Sequence, residues 1–267
     1  MTFTHPSWSR RIGVLAYGAV CYLIFLATFL YALGFVGGFV VPKSIDSAPE
    51  LPFWLALLVD VGLLGVFAVQ HSVMARPAFK RWLTRLIPAA AERSTYVLLS
   101  SAALLLSFWL WQPIGGDIWR VEQPLGAALL YVGFAFGWGL VLVTTFLINH
   151  FDLFGLRQVW AYFRAEPARP LAFVTPGPYR LVRHPLYLGW LCAFWFTPAM
   201  TVAHLVFALV TTAYILFAIR LEERDLEAEH GASYRRYKEN TPMILPSLTR
   251  SAAPDVAPAS APQGKWT

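Results

Sequence analysis

Residues 185–219 read PLYLGWLCAFWFTPAMTVAHLVFALVTTAYILFAI, 35 residues without a single Asp, Glu, Lys or Arg. A backbone in lipid finds no water to bond, so it crosses as a helix of about 20 apolar residues. As one helix this run would measure ~52 Å, well beyond the ~30 Å of hydrocarbon. Thr197-Pro198 falls near its middle. A proline disfavours helix in the residue before it and lacks a backbone donor. The run therefore predicts a tight helical hairpin, Pro185 to Phe196 and Thr201 to Arg220, with a first arm short enough to be re-entrant.

Further uncharged runs cover Ile12 to Val41, Ser94 to Gly116 and Gln123 to Phe151, and Leu51 to Ala75 is apolar apart from Asp60, Gln70 and His71. Each fits one crossing. The 267 residues are 57% hydrophobic and 13% charged, against roughly 25% charged in a soluble domain. That balance excludes a disordered chain, a fibre and an ordinary soluble globule. The sequence predicts an all-α polytopic membrane protein of five to six transmembrane helices that ends in a helical hairpin. One transmembrane domain should span 1–250, with an Ala-, Pro- and Ser-rich disordered tail over 251–267.

Charge sets the orientation. Arg10 and Arg11, five basic residues in 76–93 and five in 150–184 fall on one side of the predicted spans, while the alternate loops hold only Lys43 and Arg120 among four acids. Basic loops stay cytoplasmic, so both termini are expected there, in an inner membrane. Ser9-Arg10-Arg11 resembles a twin-arginine signal, but the apolar run behind it is too long for a signal core, so it reads as an uncleaved span. The net charge of +6 flanks spans rather than forming one basic face, which argues against nucleic acid. Cys21 and Cys192 lie in apolar stretches, and the six His residues have no metal-ligand spacing, so neither a disulfide framework nor a metal site is expected.

Three polar clusters fall on the predicted cytoplasmic side. The first is Asn149-His150-Phe151-Asp152, and the second runs from Pro176 through Arg183-His184-Pro185-Leu186-Tyr187-Leu188-Gly189. The third begins at Arg220 with Glu222-Glu223-Arg224-Asp225-Leu226 and continues to Pro246. Pro185 suits the first turn of a helix, and that helix end beside Arg183 and His184 favours an anion. Adjacent carboxylates can accept from a ribose diol, or simply form a solvated helix end.

The R-H-P-x-Y-x-G run at Arg183 to Gly189, with Glu222-Glu223-Arg224-Asp225-Leu226 beyond the hairpin, resembles the isoprenylcysteine carboxyl methyltransferase superfamily of membrane enzymes. The stretch Asn149 to Gln158 and the segment Glu222 to Pro246 are similar to the narrower family of bacterial methanethiol S-methyltransferases; NnrU-like proteins share the general plan. The resemblance implies S-adenosylmethionine as cofactor at the cytoplasmic side and a motif-bearing part over 149–246. It implies that Arg183, His184 and Tyr187 hold the cofactor's amino-acid end and Glu222 or Glu223 its ribose. It implies a small volatile thiol as acceptor and dimethyl sulfide as product. A prenylcysteine carboxylate or another lipophilic acceptor is the alternative, and a non-catalytic NnrU-like role the second.

Aromatic faces attract a sulfonium, and Tyr179, Tyr187 and Trp190 are candidates. A thiol also needs help to ionise, because an unactivated alkyl thiol titrates near or above about 8.5. His150 with Asp152 is the first candidate for that role. Asp60 with His71, about three turns apart on one helix, is the second, since an ionisable group inside a membrane segment is a functional candidate by default.

Overall fold

The computed structural model describes residues 7–167 and 174–246; the tail over 251–267 lies outside the described residues. Four long helices come first: α1 (Trp8–Gly37), α2 (Phe53–Ala75), α4 (Glu92–Leu110) and α5 (Pro124–Ile148), with a short α3 (Pro77–Leu83) between α2 and α4. Two short helices follow α5, α6 (His150–Leu153) and α7 (Leu156–Arg164). Then come α8 (Pro185–Trp195), α9 (Val202–His230) and α10 (Ala232–Asn240). The only paired strands among the described residues, β1 (Asp117–Arg120) and β2 (Ala199–Thr201), run antiparallel. Five helical stretches are long and apolar enough to cross a membrane, and α8 is a shorter apolar helix.

The hairpin forms with its break at 196–201. At 11 residues, α8 rises only ~16 Å, about half a bilayer core. It nevertheless lies along α5: Phe196 sits on Gly133, and the Val121 amide donates to Pro198 O at 2.8 Å, beyond the start of α5. The extended residues after it carry the chain to the level of the start of α5. Their polar groups are met by protein, as hydrocarbon depth demands: Trp119 Nε1 donates to Thr197 O at 3.1 Å, and Thr197 Oγ1 donates to Ala199 O at 2.8 Å. The second arm does not stop at Arg220. It continues as helix to His230, so Glu222 and Glu223 sit on a rigid rod rather than on a loop.

Side-chain contacts close the long helices into a ring. Tyr17 meets Thr95 between α1 and α4, and His71 meets Ser100 between α2 and α4. Ser72 meets Tyr214 between α2 and α9, and Trp195 meets Thr212 between α8 and α9. Phe29 packs on Trp138 between α1 and α5. Between α5 and α8 the backbones touch. A Cβ at Gly137 would stand 2.4 Å from Ala193 N, and one at Gly189 would stand 2.9 Å from Gly137 O. Small residues permit such approach where no hydrophobic force joins helices in lipid.

The ring is filled unevenly. Phe35, Leu64, Phe108, Trp111, Phe134, Trp138, Phe194 and Phe207 form one buried apolar core toward the β1–β2 end. Toward the other end the interior-facing side chains are Tyr22, His71, Tyr96, Ser100, Tyr187 and Tyr214, with His150. All three sequence clusters gather at this polar end.

Candidate active site

The Arg183-His184 segment is fixed at both backbone and side chain. Its amides donate to the last described segment, Arg183 N to Pro242 O at 2.8 Å and His184 N to Met243 O at 3.0 Å. Glu223 is the hub of the side chains. It accepts from Arg183 Nε at 2.8 Å, lies 3.1 Å from His184 Nε2, and its other oxygen is 3.0 Å from Lys238 Nζ. Arg183 Nη1 also donates to Lys238 O and Thr241 O. These contacts tie α8, α9 and α10 together with little exposure, 9% at the Glu223 side chain and 4% at His184. The bonds to Glu227 and Glu223 raise the pKa of Lys238, so it stays cationic.

Sequence reasoning left Glu222 and Glu223 interchangeable as ribose acceptors. The geometry separates them. Glu223 is committed to three basic partners of its own chain, whereas Glu222 is exposed and lies against the hydroxyl of Tyr187 and near Tyr179. Burial, then the neighbouring Glu222, raises the pKa of Tyr179, so its phenol remains a donor. Tyr237 donates to Tyr179 O at 2.5 Å and holds that loop against α10. Tyr187 lies in the first turn of α8, where helix N–H groups lack partners within the helix. An acidic acceptor, a helix start and tyrosine faces therefore meet in one place. That donor and acceptor set fits a zwitterionic ligand carrying a diol and a sulfonium, such as S-adenosylmethionine.

Deeper toward the core, Trp190 packs edge-on to Trp138 at 5.2 Å, stacks with Phe194 at 5.5 Å and meets Phe29 at 6.3 Å. Rings fill the space beyond Tyr187.

The candidate thiol-activating residues are spread out. His150 and Asp152 share a turn without touching. Asn149 ends α5 in a left-handed conformation, and its side chain accepts from Asp152 N to cap α6. Asp152 then accepts from Arg157 Nε at 2.6 Å and from Gln158 Nε2 at 3.1 Å, which fastens α6 to α7. His150 points the other way, to Tyr22 Oη and Thr145 Oγ1, each at 2.9 Å. The Thr145 hydroxyl donates to Leu142 O, so Nδ1 donates to Thr145 and Nε2 accepts from Tyr22. Burial lowers the pKa of His150 from 6.5, and it is neutral at pH 7.

Asp60 and His71 do not form one site either. Eleven residues of helix separate them by ~16 Å. Asp60, fully buried, accepts from Gln112 N at 2.8 Å, just past the end of α4. His71 belongs to the polar end: Nε2 is 2.7 Å from Tyr96 Oη and Nδ1 is 3.1 Å from Ser100 Oγ. Tyr96 and Tyr214, both within electrostatic reach of Tyr187, went unnoticed in the sequence, as did Lys238. A tyrosine near a span end reads as an interface residue. Only the position of Tyr214 in mid-span could have marked it.

Residues 93–241 match a family model described as a protein of unknown function, DUF1295. A curated methanethiol S-methyltransferase of Crocosphaera subtropica is 57% identical over 92% of this chain and 96% of its own. Proteins of the same name from Pseudomonas deceptionensis and Mycobacterium tuberculosis are 54% and 52% identical, covering 92% and 89% of this chain and 94% and 97% of their own. No solved structure matches the chain significantly.

Proposed function

The chain belongs to the family of these membrane methyltransferases, and from that membership we propose that it methylates methanethiol to dimethyl sulfide with S-adenosylmethionine as donor. One observation carries the reading: identity above half extends over nine-tenths of the chain. When bound, S-adenosylmethionine supplies a methyl group on a sulfonium whose leaving thioether is neutral, so the chain need not furnish an acid.

The residues have three tasks. Glu222 accepts hydrogen bonds from the ribose, and the start of α8 takes the amino-acid end. Arg183, His184 and Glu223 hold that helix start in register with α9. Tyr179, Tyr187 and Trp190 face the sulfonium and exclude water, so that acceptor and methyl carbon line up in a dry site. The rings of Phe29, Trp138 and Trp190 beyond Tyr187 favour a small acceptor over one with a prenyl tail. Each buried CH₂ contributes ~0.8 kcal/mol, so a one-carbon thiol binds weakly and its Michaelis constant is high. Labelled S-adenosylmethionine given to purified protein with methanethiol, longer alkyl thiols and a prenylated cysteine tests this. Labelled dimethyl sulfide is expected, with turnover falling as the alkyl chain lengthens. Label in the prenylcysteine alone would transfer the assignment to the alternative acceptor, and silence with all of them would favour a non-catalytic role.

The membrane in question is the bacterial inner membrane, with both termini and the polar end cytoplasmic, where the cofactor is made. Arg10, Arg11, Arg76, Lys80, Arg81 and Arg157 cluster with the motifs, as basic residues at a cytoplasmic end do. Single cysteines at Gly116 and Glu229, with Cys21 and Cys192 replaced, check the orientation (Ala168, an alternative probe position, lies outside the described residues). An impermeant thiol reagent outside the cell should label position 116 and spare 229; the reverse pattern would invert the topology.

A further inference from the structure

We propose that Tyr96 and His71 form the relay that takes the thiol's proton, an inference that rests on the methanethiol reading and names its base. Three observations point to this pair. His71 stacks on Phe67 at 5.2 Å, and its two nitrogens are bound to Tyr96 Oη at 2.7 Å and Ser100 Oγ at 3.1 Å. That holds the ring at one angle between α2 and α4. Tyr214 meets Ser72, the residue after His71, at 3.1 Å, and both Tyr214 and Tyr96 lie within electrostatic range of Tyr187, which stands beside Glu222, so the relay faces the same interior as the proposed cofactor site. His150 is likewise held between a tyrosine and a hydroxyl, but Phe146, Phe151 and Phe154 pack around it and its nearest phenol, Tyr22, stands edge-on to Phe154 and tilted against Phe25. Asp152 gives it no support.

With Nδ1–H donated to Ser100, Nε2 of His71 accepts from the Tyr96 phenol. As the thiol sulfur bonds to the methyl carbon, the carbon–sulfonium bond breaks and its electron pair stays on the departing thioether. The S–H proton passes to Tyr96 Oη, and the Tyr96 proton passes to His71 Nε2. The net result is one methyl thioether, one neutral leaving thioether and one imidazolium that later releases its proton. The other polar and charged groups around the pair include Ser72, Tyr187 and Tyr214, with Arg76, Glu92 and Arg93 beyond.

A positioned base contributes roughly 10²–10⁴ in rate. His71→Gln and Tyr96→Phe should therefore each lower kcat for methanethiol about 100-fold or more at pH 7. Affinity for S-adenosylmethionine, read by equilibrium dialysis, should stay within about threefold and report a folded site. The loss should shrink as pH rises and the free thiolate accumulates, and it should shrink with hydrogen sulfide, a smaller and more acidic acceptor. His150→Gln is expected to lack that dependence on pH and acceptor. A loss in His71→Gln that stays constant with pH, or a full-rate His71→Gln, would overturn the relay, and the acceptor-dependent loss appearing in His150→Gln would move it there. An inactive wild-type protein would instead refute the methanethiol reading itself.

Discussion

Glu223→Ala is expected to lower the thermal midpoint of the detergent-solubilised protein by on the order of 10 °C and to release α10 to protease. The substitution leaves Arg183, His184 and Lys238 without the carboxylate that each contacts. Removing one partner of a buried ion pair costs about 3–5 kcal/mol, because the charge left behind is still desolvated. At roughly 2–4 °C per kcal/mol for a chain of this size, that gives the stated shift. Glu223→Gln keeps the shape and one acceptor and should fall between. Glu222→Ala is the contrast. Its carboxylate is exposed, so the midpoint should barely move, while affinity for S-adenosylmethionine should fall about 10- to 150-fold, as for a charged hydrogen bond of about 1.5–3 kcal/mol. Equal midpoints for Glu223→Ala and wild type would refute the hub, and unchanged affinity in Glu222→Ala would remove it from the cofactor site.

The second large effect is steric. Gly137→Leu and Gly189→Leu are expected to abolish folded, monodisperse protein, and Gly137→Ala to destabilise it measurably. At Gly137 the atoms in the way are Ala193 N at 2.4 Å, Gly189 O at 2.7 Å and Cys192 C at 2.9 Å, all backbone. No rotamer change can clear them, so α5 and α8 must part. Overpacking that side chains can absorb costs about 1–3 kcal/mol; backbone displacement costs more and carries Tyr187 away from Glu222. Gly139→Ala is the control on the same helix, since nothing lies within 4 Å of its Cβ, and alanine is the better helix former. Size-exclusion profiles and melting curves of the four variants decide it. A well-folded Gly137→Leu would mean that the two helices do not pack backbone to backbone.

The crossings were legible because hydropathy is a property of local sequence. Apolar length marked the five spans, and Pro198 placed the break between α8 and α9 where it occurs. The polar end was legible for a similar reason: Arg183, His184, Tyr187, Glu222 and Glu223 are charged or polar residues at the edges of apolar runs. What lay hidden is how each helix is rotated about its axis. In a soluble helix the apolar stripe marks the buried face, but in lipid both faces are apolar, so periodicity carries little rotational information. The juxtaposition of His71 with Tyr96, 25 residues away on a facing helix, therefore appears only in the fold. The division of labour between adjacent Glu222 and Glu223 is rotational too. About 100° around α9 decides which carboxylate meets Arg183 and which remains open to a ligand.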